Sequence, residues 1–225
     1  MRKTQLVNGE WYHIYNRGSD EREIFLDEED YLKFLRGLKD FNNRSFYEER
    51  ARIVNTYGLK ELSSFLEKVE KVVHIAFYSL VPNHHHFILR QLTTNGIPLL
   101  MHKLGTSYTN YFNKKYGRSG SLFQGPYKTI HIDNNDYLLW LSGYVNGNIE
   151  IHKLGEAETY PWSSFGGILK SERSEILSGT EIVLSQFKDI DDYKKFVKIV
   201  IEESRKRKDL EKYLLEKLEK GAKLL

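Results

Sequence analysis

VVHIAFYSLVPNHHHFILRQL, residues 72–92, is the stretch on which the fold turns. Two runs rich in β-branched and aromatic residues flank Val81-Pro82-Asn83. Proline donates no ladder hydrogen bond and Pro-Asn favours a turn, so the pattern predicts an antiparallel pair of strands over 72–80 and 84–92. Three consecutive histidines open the second run. Side chains alternate faces along a strand, so His84 and His86 share one face and His85 points to the other. Two imidazoles on one face can converge on a divalent cation, whereas a histidine in an apolar strand is also often a satisfied core residue. The residues alone leave both readings open.

Outward from this pair, WYHIYNR (11–17) reads as a strand closed by Gly18, and EEDYLKFLRGLKDF (28–41) as a helix with an acidic first turn. Downstream, a helix is expected from about Pro98 to Tyr116, then the glycine-rich basic loop YGRSGSLFQGPYK (116–128), a short strand YKTIHI (127–132) and a helix opening near Asn134-Asn135-Asp136. Residues 42–70 are charged and polar and read as an insertion, with a second helix in LKELSSFLEKVEK. After YPWSSFGG (160–167) the chain becomes charged and helix-rich. The expected organisation is therefore a domain over 1–168 and a helical C-terminal extension over 169–225. In that extension Leu210, Leu214 and Leu218 make an amphipathic helix with basic flanks. The fold class is α+β: an antiparallel sheet with the histidines in a central strand and helices packed on it.

Composition narrows the chemistry. The 225 residues are 40% hydrophobic and include no cysteine, which excludes disulfides and thiolate metal sites, so any metal must sit on His, Asn, Gln or carboxylate. No stretch approaches the roughly 20 apolar residues of a membrane span, and MRKTQLVNGEWYH lacks the apolar run of a signal peptide. The expectation is a soluble, cytoplasmic protein with no membrane partner. Net charge is +3, but the 62 residues from Lys71 to Ile132 contain no Asp or Glu and carry seven Lys and Arg, leaving −4 for the remainder. Such asymmetry predicts an electropositive surface for a polyanion. Tyr108, Tyr111, Phe112, Tyr116, Phe123 and Tyr127 interleave with Lys114, Lys115, Arg118 and Lys128, a mixture that suits bases stacking on rings while cations follow phosphates.

VPNHHHFILR resembles the His–hydrophobic–His motif of the HUH single-strand nucleases, in the Met-Pro-Asn-His-x-His form of the REP-associated tyrosine transposases and insertion-sequence relatives, with Val81 in the place of the methionine. The likeness extends in order through YHIYNRGSDEREIFLDEEDYLKFL, YTNYFNKKYGRSGSLFQGPYK, DNNDYLLWLSGYVNGN and YPWSSF, covering about residues 11–167. Here the middle position is His85 rather than an aliphatic residue, and Pro126 stands where relatives often carry a basic one. The resemblance implies a ferredoxin/RRM-like palm. It implies Tyr144 as nucleophile, His84, His86 and Asn148 as ligands of Mg²⁺ or Mn²⁺, and single-stranded DNA with a hairpin, such as a REP-like or insertion-sequence end, as partner. Arg17, Lys114, Lys115, Arg118, Tyr127 and Lys128 form the expected DNA surface, and His13 is an auxiliary candidate for orienting substrate or metal. Relatives occur as monomers and as dimers, so a homodimer stays open.

Helical spacing adds that Asn148, four residues after Tyr144, shares its face. Gly143 and Gly147 each weaken the helix by roughly 1 kcal/mol relative to alanine, which suggests a mobile helix that docks on substrate. A phenol with a pKa near ~10 is a poor nucleophile unassisted, so a cation on the phosphodiester is needed. The implied activity is metal-dependent cleavage and strand transfer through a 5′-phosphotyrosine. The alternatives are a domesticated hairpin-binding protein that does not cut, and a nuclease in which water attacks.

Overall fold

The computed structural model describes residues 6–43 and 70–222, with side chains through residue 208. Four strands form one sheet: β1 (Trp11–Arg17), β2 (Val73–Val81), β3 (His84–Gln91) and β4 (Lys128–His131), in the order β2-β3-β1-β4 with every neighbour antiparallel. The histidine strand is thus central, and Val81 pairs with His84 across the two-residue turn. That turn is pinned from outside: the Pro82 carbonyl accepts from the backbone N–H of Ile24 (2.7 Å) and Phe25 (3.1 Å), and the Asn83 carbonyl from Gly18 (2.9 Å).

Helices cover both faces. On one lie α1 (Glu28–Asp40) and α2 (Gly96–Lys115). On the other lie α3 (Asn135–Asn146), α4 (Asn148–Ile151), α5 (Ser164–Leu169), α6 (Glu181–Leu184) and the long α7 (Ile190–Ala222). A bulge between Ile75 and Phe77 changes the parity of β2. Ile75, Tyr78 and Leu80 therefore pack with Ile14, Phe87 and the α1–α2 side chains, while Ala76, Phe77 and Val81 pack with Ile88, Val145, Tyr193 and Val197.

Local chemistry sets the helix ends. The Asp27 carboxylate accepts from Asp30 N–H (3.1 Å) at the start of α1, and the Asn134 side chain accepts from Tyr137 N–H (2.8 Å) at the start of α3. Pro98 falls in the first turn of α2, where its missing N–H costs nothing. The fully buried Asp30 carboxylate joins the first two helices, accepting from Leu26 N–H, the Tyr111 and Tyr116 hydroxyls and Lys115 at 2.8–3.0 Å. A buried carboxylate survives only when so completely paired.

Gly143 and Gly147 have a packing reason rather than a dynamic one. A Cβ at Gly143 would stand 2.8 Å from a Val200 methyl, and one at Gly147 2.4 Å from Ile201. These glycines let α7 lie directly on α3, and Tyr193, Val197 and Ile201 share one buried cluster with Leu141, Val145 and Ile149. The expected mobility of this helix has no support in that packing. Most of the 42–70 insertion, with its expected second helix, lies outside the described residues, as do the Leu210, Leu214 and Leu218 side chains.

Candidate active site

Alternation on β3 puts His84 and His86 on the face covered by α3 and α7, with their rings edge to face at 5.1 Å between centroids. Each has its Nδ1 engaged. His84 Nδ1 lies 2.6 Å from Asn83 Oδ1, and the Asn83 amide is itself oriented by donating to the Glu21 carbonyl (3.3 Å). His86 Nδ1 lies 2.8 Å from His13 Nε2. Both rings keep Nε2 outside these contacts, and both line one cleft. Fixing one ring nitrogen in order to present the other is the usual outer-shell arrangement of metal-ligating histidines. His13 is buried behind His86, reaching the cleft only through it.

The third expected ligand arrives from α4. A break at Gly147 separates α3 from α4, and Asn148, wholly buried, brings Oδ1 to 3.0 Å from His84 Nε2. Burial holds His84 neutral, pushing its pKa down to about 4. The neutral imidazole nitrogen of His84 and the amide oxygen of Asn148, 3.0 Å apart, are both electron-pair donors that a divalent ion accepts, so the chemistry of this set fits one. The set is imidazole and amide: among the described residues no three His, Cys, Asp or Glu side chains converge.

Tyr144 stands on α3 with its ring edge-on to His86 (5.6 Å) and stacked on Trp140 (5.3 Å). Burial raises its hydroxyl above the ordinary phenol value, with the neighbouring Asn148 amide pulling the other way. It therefore enters the cleft as a neutral phenol. The cleft, about 380 Å³, also receives Arg17, Glu21, Gln124, Lys128, His152 and Lys208.

The structure divides the expected DNA residues. Arg17 and Lys128 line the cleft with Tyr144. Arg17 is held by Gln124 Oε1 (2.7 Å) and Glu21 Oε1 (2.9 Å), and the Lys128 ammonium lies 5.8 Å from the Tyr15 ring centre. Lys115 is instead engaged by Asp27, Glu29 and Asp30 at 2.8–3.0 Å. Arg118 folds back on Asn113 Oδ1 (2.7 Å) and the Ser121 carbonyl, organising its own loop. Lys114 is exposed at the end of α2, and Tyr127 lines a separate cavity under the other face.

Sequence reasoning missed Lys208 and His152. Lys208 Nζ lies 3.0 Å from His152 Nε2, whose ring is 4.9 Å from that of His84. Next to Lys208, Arg207 lies over Trp140 and Arg205 donates twice to the Glu150 carbonyl (3.0 and 2.6 Å), clasping the end of α4. The basic run Arg205–Lys208 was a visible signal, but nothing local says that it reaches a strand more than a hundred residues earlier.

The central strand of the antiparallel sheet thus presents two histidines to a tyrosine on α3 and an amide at the start of α4. A solved REP-associated tyrosine transposase, in complex with a REP hairpin, superposes with a TM-score of 0.53 over 80% of this chain and 91% of that one, at 12% identity. The chain has the fold of that transposase. No family model matches the sequence, and no curated protein is detectably similar to it. Among the described residues no helix is long and apolar enough to cross a membrane.

Proposed function

We propose that the chain is a metal-dependent, single-tyrosine endonuclease and strand transferase acting on single-stranded DNA beside a hairpin. The observation that carries this reading is the convergence of Tyr144, His84 and His86 in a cleft that also holds Arg17, Lys128 and Lys208, with the buried Asn148 amide 3.0 Å behind His84 Nε2. The solved transposase of like fold is bound to a hairpin, which supports the same class of partner here.

Arg17, Lys128 and Lys208 hold the phosphates that flank the scissile bond, with Glu21 yielding Arg17 to the strand. The Tyr144 hydroxyl oxygen attacks phosphorus, the bond to the 3′ oxygen breaks, and the phenol loses one proton as the departing oxygen gains one. The products are a free 3′-hydroxyl and a 5′-phosphotyrosine. Phosphodiester energy is conserved, so a second 3′-hydroxyl reverses the step and joins a new strand without ATP. Mg²⁺ or Mn²⁺ on His84, His86 and Asn148 would supply Lewis-acid neutralisation of a nonbridging oxygen. Imidazole ligands favour Mn²⁺ of the two.

The test is incubation with end-labelled hairpin DNAs bearing single-stranded flanks, with and without Mn²⁺, resolved on a denaturing protein gel. A labelled band at protein mass that requires metal and disappears in Tyr144→Phe is expected. Cleavage that persists in Tyr144→Phe without an adduct would assign attack to water. Binding without cleavage under any metal would make the chain a hairpin-binding protein.

A further inference from the structure

Beneath the opposite face of the sheet lies a cavity of about 560 Å³ that the chemistry above does not use. Its floor includes His85, only 2% exposed, with neither ring nitrogen hydrogen-bonded among the described residues. The ring sits among Phe34, Phe87 and Phe123 at 4.9–5.7 Å. Leaving a buried polar group without a partner is destabilising, a penalty an aliphatic residue would avoid. Asn16, directly opposite His85 in the β1–β3 register, adds a second polar side chain to the same wall.

Two features define the occupant. The first is charge: no Lys, Arg, Asp or Glu lines this cavity, whereas the catalytic cleft holds Arg17, Lys128, Lys208 and Glu21. The His85 imidazole, enclosed by three aromatic rings, offers one donor and one acceptor nitrogen. Phosphate meets no Lys or Arg here, whereas an uncharged planar heterocycle finds aromatic walls and both kinds of hydrogen-bonding group. The second is continuity. Asn16 lines both spaces and donates to the Gly125 carbonyl (3.1 Å), while Gln124 and Lys128 face the cleft and Gly125, Pro126 and Tyr127 face the cavity. Residues 124–128 therefore form a partition with a cationic side and an uncharged side.

We infer that the cavity under His85 takes one unstacked nucleobase of the DNA strand whose phosphates lie in the catalytic cleft. The inference rests on the DNA reading of that cleft. The base lies against Phe123 and Met101, and the open space beside the Gly105 and Gly125 backbones admits it; a Cβ at either glycine would meet no atom within 4 Å. Both His85 nitrogens are covered in the empty cavity, and the broad Cβ–Cγ torsion of histidine lets the ring turn one of them to the base edge. A histidine in a position otherwise suited to an aliphatic residue acquires a purpose, as a reader of base identity separate from the metal ligands beside it in sequence.

The experiment takes a hairpin DNA selected for binding to the full chain from a pool with randomised single-stranded flanks, then walks a single abasic site through those flanks. Affinities are measured by fluorescence anisotropy for the parent, His85→Leu and Gly105→Leu. The last fills the cavity from α2 and replaces a helical glycine with a better helix former, so it folds if His85→Leu does not. One flank position at which base removal weakens parent binding by about tenfold is expected, in keeping with a single stacked base. Both variants should bind intact and abasic DNA alike at that position. A parent indifferent to every abasic site, or a sensitive position that both variants retain, overturns the inference while leaving adduct formation by Tyr144 intact. If no hairpin is selected and no adduct forms, the DNA reading of the cleft falls and this inference with it.

Discussion

His84 and His86 on one face of β3 and His85 on the other are chemically the same group in opposite circumstances. On the first face each Nδ1 has a partner, Asn83 or His13, the His84 Nε2 faces the Asn148 amide, and both rings line a cleft with Tyr144. On the second, the imidazole sits in an aromatic nest with neither nitrogen bonded among the described residues. Burial keeps all three neutral: His84 is lowered to about 4, His85 to about 3, and His86 well below its ordinary value. Neutrality alone therefore does not make a histidine a ligand. A second nitrogen held in place and a third donor across the gap do, and only one face has them.

The widest separation between the faces should appear in cleavage. His84→Ala or His86→Ala is expected to lower the rate of adduct formation by about a thousandfold or more, the loss of several kcal/mol of phosphate neutralisation. His85→Leu should weaken DNA binding by about tenfold but keep the single-turnover rate at saturating DNA within a few-fold. Single-turnover rates of the three variants side by side would break the comparison if His85→Leu fell with the other two.

Asn83→Ala tests whether the orientation of His84 matters. Removing an outer-shell partner typically costs 10–100-fold in metal affinity, so about that loss is expected in Mn²⁺ titrations followed by electron paramagnetic resonance. Unchanged Mn²⁺ affinity would mean that the Asn83 contact does no more than close the turn.

Acid sensitivity sharpens the other side. His85 has a folded pKa of about 3 against an unfolded value near 6.5, so between these the unfolded chain binds the extra proton and stability falls as pH falls. The contribution is complete above pH ~6.5 and is lost at up to about 1.4 kcal/mol per pH unit down to the folded value. His85→Leu removes this term, and urea unfolding at pH 7 and pH 5 should show a smaller loss than the parent. Equal losses would mean that His85 gains a partner or solvent in solution.

The smallest expected effect belongs to Lys208. Lys208→Ala should weaken hairpin binding by a few-fold and reduce the salt dependence of log K by about one unit of slope, the signature of one lost phosphate contact. An unchanged slope would place the strand away from α7.

Much of the fold was written in short-range pattern. β1 spans 11–17 as expected, the strand pair shifts by one residue at most at each end, and the helix expected over 28–41 runs 28–40. The helix expected from Pro98 begins two residues earlier at Gly96, because proline is tolerated inside a first turn. The packing role of Gly143 and Gly147 was not legible, because the side chains they admit, Val200 and Ile201, stand more than fifty residues away. Lys115 looked like a DNA contact because it stands in an acid-free segment, but Asp27, Glu29 and Asp30 reach it from the preceding helix.

By itself the sequence determined that His84 and His86 share a face opposite His85, since the strand period is a local property of the backbone; the helical turn expected between Tyr144 and Asn148 is interrupted at Gly147. Tertiary structure alone decided which nitrogen of each histidine stays available, that α7 delivers Lys208 to the cleft, and that a cavity opens under His85. Those outcomes depend on contacts between segments far apart in the chain, which only packing against the sheet brings together.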